Sequence, residues 1–259
     1  MDLIIRNANL PDGRTGFDIG IKDAKITAIE AALPSKANEE IDASGYLASP
    51  PFVDAHFHMD ATLSIGQPRL NQSGTLLEGI TLWGELKPHL TVEAIKERAL
   101  RYCDMAVARG LLAIRSHVDI CDPRLLAVDA LLEVKKEVAP YLDLQLVAFP
   151  QDGYFRSPDA AELLETALDR GVEVVGGIPH FERTMEEGKK SVEALCRIAA
   201  ERGLRVDMHC DESDDPLSRH IETLTAETVR HGLQGRVTGS HLTSMHSMDN
   251  YYVSKLLPL

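Results

Sequence analysis

The chain has 259 residues, 44% of them apolar, with 27 Lys+Arg against 40 Asp+Glu and a formal net charge of −13. A chain of this length buries about three quarters of its unfolded surface, which excludes a disulfide-stapled mini-protein and a disordered tail, and its acidity argues against nucleic acid or an acidic membrane face as partner. Cys103, Cys121, Cys196 and Cys210 lie far apart with no C-x-x-C pair, and no apolar run or N-terminal pattern marks a membrane span or signal peptide; a cytoplasmic protein with free thiols is expected, neither secreted nor anchored.

Residues 1–48 carry short β-type runs at 3–9, 18–21 and 25–29 between Gly, Pro, Asp and Asn turn signals. They predict a small antiparallel sheet. From Tyr46 onward, short apolar strands at 46–55, 111–117, 142–149, 172–178, 205–209 and 236–241 alternate with helices at 91–108, 125–138, 158–170, 191–202 and 217–231. Gly110 closes the helix of 91–108, Pro158 opens that of 158–170 with Ser157 as its cap, and residues 249–259 begin a sixth helix. Six consecutive βα units predict a (β/α)8-type barrel rather than a doubly wound sheet, because no G-x-G-x-x-G phosphate turn follows the first strand. The expected organisation is a small β domain over 1–48 and a barrel, strands one to six, over 49–259. Strands seven and eight are not found, so the chain is expected to be truncated relative to its relatives.

In a parallel barrel the chemistry sits at the carboxyl ends of the strands. Those ends here are polar: His56-Phe57-His58, Ser116-His117-Val118-Asp119, Pro150-Gln151-Asp152, Pro179-His180, His209-Cys210-Asp211-Glu212 and Ser240-His241. His56 and His58 alternate in an extended segment and project to one face, where both imidazoles can reach one cation at about 2.0–2.1 Å. His209 closes another apolar strand, as a third ligand or as a hydrogen-bonded core histidine. Glu212 either moves protons beside the ion or belongs to a solvated acidic loop with Asp211, Asp214 and Asp215. His241 is a ligand or a group that orients the attacking water, and the amide of Gln151 suits the edge of an amide-like heterocycle. His117, Asp119 and His180 read as supporting or structural groups, while His89, His220, His231 and His246 read as surface histidines. No G-x-S-x-G elbow is present, nor an H-x-E with P-C-x-x-C.

The string Phe52-Val53-Asp54-Ala55-His56-Phe57-His58-Met59-Asp60 resembles the first-strand motif of the amidohydrolase superfamily. Val147-Ala148-Phe149-Pro150-Gln151-Asp152-Gly153, Gly177-Ile178-Pro179-His180-Phe181-Glu182, His209-Cys210-Asp211-Glu212-Ser213-Asp214-Asp215 and Val237-Thr238-Gly239-Ser240-His241 narrow the resemblance to its bacterial cytosine deaminases. The resemblance implies one divalent Fe2+ or Zn2+ held by His56, His58 and His209, with Glu212 as proton shuttle, His241 positioning the attacking water and Gln151 reading the pyrimidine edge. It also implies that residues 1–48 belong to a small β-sandwich and that a further aspartate ligand at the end of the eighth strand lies beyond Leu259.

The expected activity is hydrolytic deamination of cytosine or a near relative to a uracil-type product and ammonia. Amino-triazine or isocytosine hydrolysis, or a truncated barrel without turnover, are the alternatives. Cyclic-amide hydrolysis of the two-metal kind is disfavoured, because the fourth strand carries no lysine for a bridging ligand. A small amino-heterocycle is the expected partner, in a homo-oligomer.

Overall fold

A computed structural model describes residues 1–259, which divide into two compact units, Met1–Pro51 and Phe52–Leu259. The first holds β1 (Leu3–Ala8), β2 (Phe17–Lys22), β3 (Lys25–Glu30) and β4 (Glu39–Asp42) in the order β3-β2-β1-β4. The sheet is mixed rather than antiparallel, because β4 runs parallel to β1. Its sequence, Glu39-Glu40-Ile41-Asp42, has no apolar alternation and gives no strand signal. Charge holds this edge instead: the Arg6 guanidinium bridges Asp18 at 2.7 Å and Glu40 at 2.8 Å.

The second unit contains six parallel strands, β5 (Phe52–Phe57), β6 (Leu111–Asp119), β7 (Asp143–Phe149), β8 (Val174–Gly177), β9 (Arg205–Cys210) and β10 (Val237–His241), in sequential order. Helices α1 (Leu76–Leu86), α2 (Val92–Val107), α3 (Leu126–Val138), α4 (Ala160–Asp169), α5 (Met185–Arg202) and α6 (His220–Arg230) fall between them, and α7 (Asn250–Leu256) follows β10. This is an incomplete (β/α)8-type barrel. The sheet is strongly curled, since His56 on one edge strand and Ser240 on the other approach to 3.1 Å across its interior. No helix is long and apolar enough to cross a membrane.

Local chemistry explains where the elements depart from expectation. The first barrel strand begins at Phe52 rather than Tyr46 because Pro50 and Pro51 lack the N–H that a ladder needs; Leu47 instead bridges Asn9 within the first unit. Helix α5 starts six residues before the expected Ser191, capped by Thr184, whose hydroxyl accepts from the Glu187 amide at 3.1 Å. Helix α1 was not anticipated and carries the same signature, Thr75 accepting from the Glu78 amide. In both, a T-x-x-E box marks the start more reliably than the apolar pattern behind it. Ser157 and Pro158 do not open α4, which begins at Ala160. The loop before it is held by the Glu182 carboxylate, which accepts the amides of Tyr154, Phe155 and Arg156.

Close packing around β8 explains its glycines. A Cβ on Gly176 would stand 2.5 Å from the Ala148 carbonyl oxygen and 3.0 Å from Phe149 Cα, both backbone atoms of the neighbouring strand. Gly176→Ala should therefore destabilise the barrel by about 1–3 kcal/mol, read as a lower denaturant midpoint; an unchanged midpoint would contradict this packing.

Candidate active site

At the carboxyl ends of the strands lies a cavity of about 450 Å3 bordered by His56, His58, Gln151, His209, Glu212 and His241. All six residues put forward from the sequence thus face one space. Leu76, Leu77, Ile80 and Trp83 of α1, with Ile178 and Phe181, form its apolar wall. The helix missed in the sequence supplies most of that wall.

The histidines converge because the strands alternate. His56 and His58 are two residues apart, and His209 lies one residue before the end of β9, so their rings come within 4.6–5.0 Å centroid to centroid for the pairs His56–His209 and His58–His209. Phe149 stacks on the His209 ring at 4.2 Å and fixes its plane. His117, which sequence reasoning left in a supporting role, stands among them at 4.4 Å from His56 and 4.5 Å from His209. It is fully buried, and neither of its ring nitrogens has a hydrogen-bond partner. One ring nitrogen from each of His56, His58, His117 and His209 lies within 4.8 Å of the others. The signal available in the sequence was period two along β6, which puts Arg115, His117 and Asp119 on one face.

Burial, reinforced by the neighbouring imidazoles, pulls the pKa of His56 down to about 4 and that of His58 to about 3. The same causes hold His209 far below the ordinary histidine range. These rings are neutral at neutral pH and keep lone pairs to donate. The Nε2 atoms of His58 and His209 are 3.0 Å apart, close enough for both to reach one ion at about 2.0–2.1 Å. A cluster of neutral imidazoles with unpartnered buried nitrogens fits a divalent cation such as zinc or iron.

Two left-handed turns aim the other polar groups. Asp211, His241 and Leu242 have φ of 54°, 74° and 54°, a conformation that is uncommon for non-glycine residues and concentrates at functional sites. Asp211 is held by its own side chain: its carboxylate accepts from Ser218 Oγ at 2.7 Å, from His220 Nδ1 at 2.8 Å and from the Ile221 amide at 2.9 Å. Burial opposes its charge, yet these bonds bring its pKa to about 2. His220 is accordingly buried against Asp211 rather than on the surface. The anchored turn leaves Glu212 facing the cavity, with Oε1 3.8 Å from His241 Nδ1.

Polar contacts also fasten α1 over the cavity. Trp83 Nε1 donates to Asp119 Oδ2 at 2.7 Å, and Lys87 Nζ lies 2.9 Å from the same oxygen and 2.6 Å from Asp152 Oδ2. Asp119 is therefore a clamp for the helix. Burial raises its pKa, and the Lys87 ammonium opposes that shift. Because Asp152 follows Gln151, the same lysine ties the roof of the cavity to the loop that carries the amide. His180 also borders the cavity, with a buried Nδ1 that has no partner.

The model of the Amidohydrolase family matches residues 39–259. The chain is 45% identical to the 5-methylcytosine deaminase from Klebsiella pneumoniae solved with 5-fluorocytosine, with a TM-score of 0.94 over 98% of this chain and 62% of that one. It is 33% identical to the N-isopropylammelide isopropyl amidohydrolase of Pseudomonas sp. (strain ADP), covering 100% of this chain and 65% of that protein. The solved N-isopropylammelide isopropylaminohydrolase from Burkholderia multivorans is 25% identical, with a TM-score of 0.85 over 99% of this chain and 65% of its own. The chain thus spans a little under two thirds of the length of these relatives. With a family model that covers most of the sequence and this barrel beneath it, the chain belongs to the amidohydrolase family.

Proposed function

We propose that this barrel serves the metal-dependent hydrolytic deamination of an amino-pyrimidine, cytosine or a cytosine substituted at C5, to the uracil-type product and ammonia. The observation that carries the reading is the cluster of neutral imidazoles in one cavity with Glu212, His241 and Gln151. The 45%-identical Klebsiella protein, a 5-methylcytosine deaminase solved with 5-fluorocytosine and with phosphonocytosine, supports the substrate class. A cavity of about 450 Å3 is of the size that encloses a small ligand.

His56, His58 and His209 would hold one divalent ion, Fe2+ or Zn2+, with His117 beside them. Such an ion lowers the pKa of water from about 15.7 towards about 7 and so supplies hydroxide at neutral pH. The chain's own residues do the rest. Gln151 donates and accepts along the ring edge and turns the amino-bearing carbon towards the imidazoles. Glu212 takes a proton from the attacking water and passes it to the adjacent ring nitrogen, which makes that carbon more electrophilic, and then carries the remaining hydroxyl proton to the amino group as ammonia departs and the carbonyl forms. His241, next to Glu212, orients the attacking water. Trp83, Ile178 and Phe181 exclude bulk water, and the apolar wall of α1 accepts a C5 substituent. An N-alkylamino-triazine is the second reading, favoured by the 33%-identical Pseudomonas relative; release of isopropylamine from N-isopropylammelide in place of ammonia from cytosine would select it.

Glu212→Gln should lower turnover by about 10²–10⁴-fold while metal content stays the same, checked by ammonia release and metal analysis; full turnover in that variant would overturn the assignment. The depressed histidine pKa values predict a pH response of the chelator-treated protein. Between the ordinary value of 6.5 and the folded values of about 4 and about 3, the unfolded chain binds protons that the folded chain refuses. With His180 and His209 depressed as well, these rings outweigh the opposite contribution of buried Asp60, whose pKa is raised to about 7, and stability falls as pH drops from 7 to 5. Denaturant titrations should show that fall, and zinc at about 100 times its dissociation constant should add about 2.7 kcal/mol at pH 7. A metal-free midpoint unchanged between pH 7 and 5, or no response to zinc, contradicts the reading.

A further inference from the structure

Beneath the imidazole cluster four strands contribute to one hydrogen-bonded chain. Arg115 on β6 donates from Nη1 to Asp207 Oδ2 at 2.8 Å, and its Nε donates to Gln145 Oε1 on β7 at 2.7 Å. Asp207, two residues before His209 on β9, is fully buried. Its other oxygen accepts from Ser240 Oγ at 2.8 Å, and Ser240 Oγ stands 3.1 Å from His56 Nδ1 on β5. His117 Nε2 is also near, 3.5 Å from Asp207 Oδ1, but makes no hydrogen bond to it.

The direction of this chain follows from what each group can do. A carboxylate paired with a guanidinium accepts only, so the single hydroxyl hydrogen of Ser240 goes to Asp207. The hydroxyl oxygen is then left as an acceptor for the His56 contact, and Nδ1 must carry the hydrogen. In neutral imidazole that leaves Nε2 bare. We propose that Ser240, held by Asp207 and Arg115, is a positioning residue that fixes His56 as the Nδ1–H tautomer, so that its Nε2 lone pair is presented to the imidazole cluster before any ion arrives. The consequence for metal binding rests on the proposed metal-dependent function; the tautomer itself does not.

The contact joins the two edge strands of the barrel sheet, residues 184 apart in sequence. A ligand histidine whose second nitrogen is held in this way typically loses 10–100-fold in metal affinity when the holding group is removed.

The test is ¹⁵N NMR of the full chain labelled at histidine, freed of metal with chelator at neutral pH, combined with zinc affinity by competition. In the unaltered protein the His56 signals should show hydrogen on Nδ1 and none on Nε2. Ser240→Ala should add the Nε2–H form and weaken zinc binding about 10–100-fold, while Ser240→Thr, which keeps the hydroxyl, should restore both. Circular dichroism and unfolding midpoints establish that each variant is folded. His56 found as Nε2–H in the unaltered protein overturns the proposal, as does an unchanged tautomer in a folded Ser240→Ala variant. If the tautomer behaves as described but no zinc binds, the metal-dependent function fails and the positioning role of Ser240 stands.

Discussion

The barrel unit is organised around the burial of a cluster of imidazoles. His56, His58, His117 and His209 bring a ring nitrogen each to within 4.8 Å of the others, from β5, the turn beyond it, β6 and β9. Gathering polar nitrogens where His117 and His209 Nδ1 find no partner is unfavourable by itself, since an unsatisfied buried polar group costs about 1–3 kcal/mol. The fold tolerates this because the strands that deliver the rings are bedded in an extensive apolar core, and a divalent cation would use the lone pairs that the protein leaves free. The site is thus a locally unstable arrangement on a stable scaffold, as expected of a functional centre.

Around that cluster the supporting groups divide by stiffness. Strands carry His56, His117 and His209 and the Arg115–Asp207–Ser240 chain beneath them, where position must hold to fractions of an ångström. Glu212 and His241 sit instead at left-handed turns just at the strand ends, braced by the Asp211 carboxylate and by the Leu242 amide donating to the Cys210 carbonyl at 3.0 Å. The roof, α1, is attached through Trp83 and Lys87 to Asp119 and Asp152. In the proposed reaction the proton-moving groups would sit on braced turns and the substrate wall on a separately fastened helix, both apart from the cluster.

Much of this was legible in the sequence. The βα alternation placed the six barrel strands, and polar residues at their ends located the cavity face, because strand periodicity and barrel geometry are local rules. What was not legible has physical causes. Glu39–Asp42 forms a strand by pairing and charge, with no apolar pattern to announce it. Helix α5 begins in a polar stretch and α1 just after one, and in both a T-x-x-E box marks the turn. His117 reads as a supporting residue because its neighbours along the chain say nothing of β5 and β9, whose rings it meets only after the sheet curls. His220 reads as a surface residue until Asp211 is seen to bind it. Side-chain partners across strands are long-range facts that one sequence does not contain.

The central claim is that these imidazoles converge on one cation, and anomalous diffraction from crystals of the protein grown with zinc tests it most directly. The account predicts one strong peak per chain, about 2.0–2.1 Å from nitrogens of His56, His58 and His209. A map with zinc only at surface sites, or with none in the cavity, would contradict it.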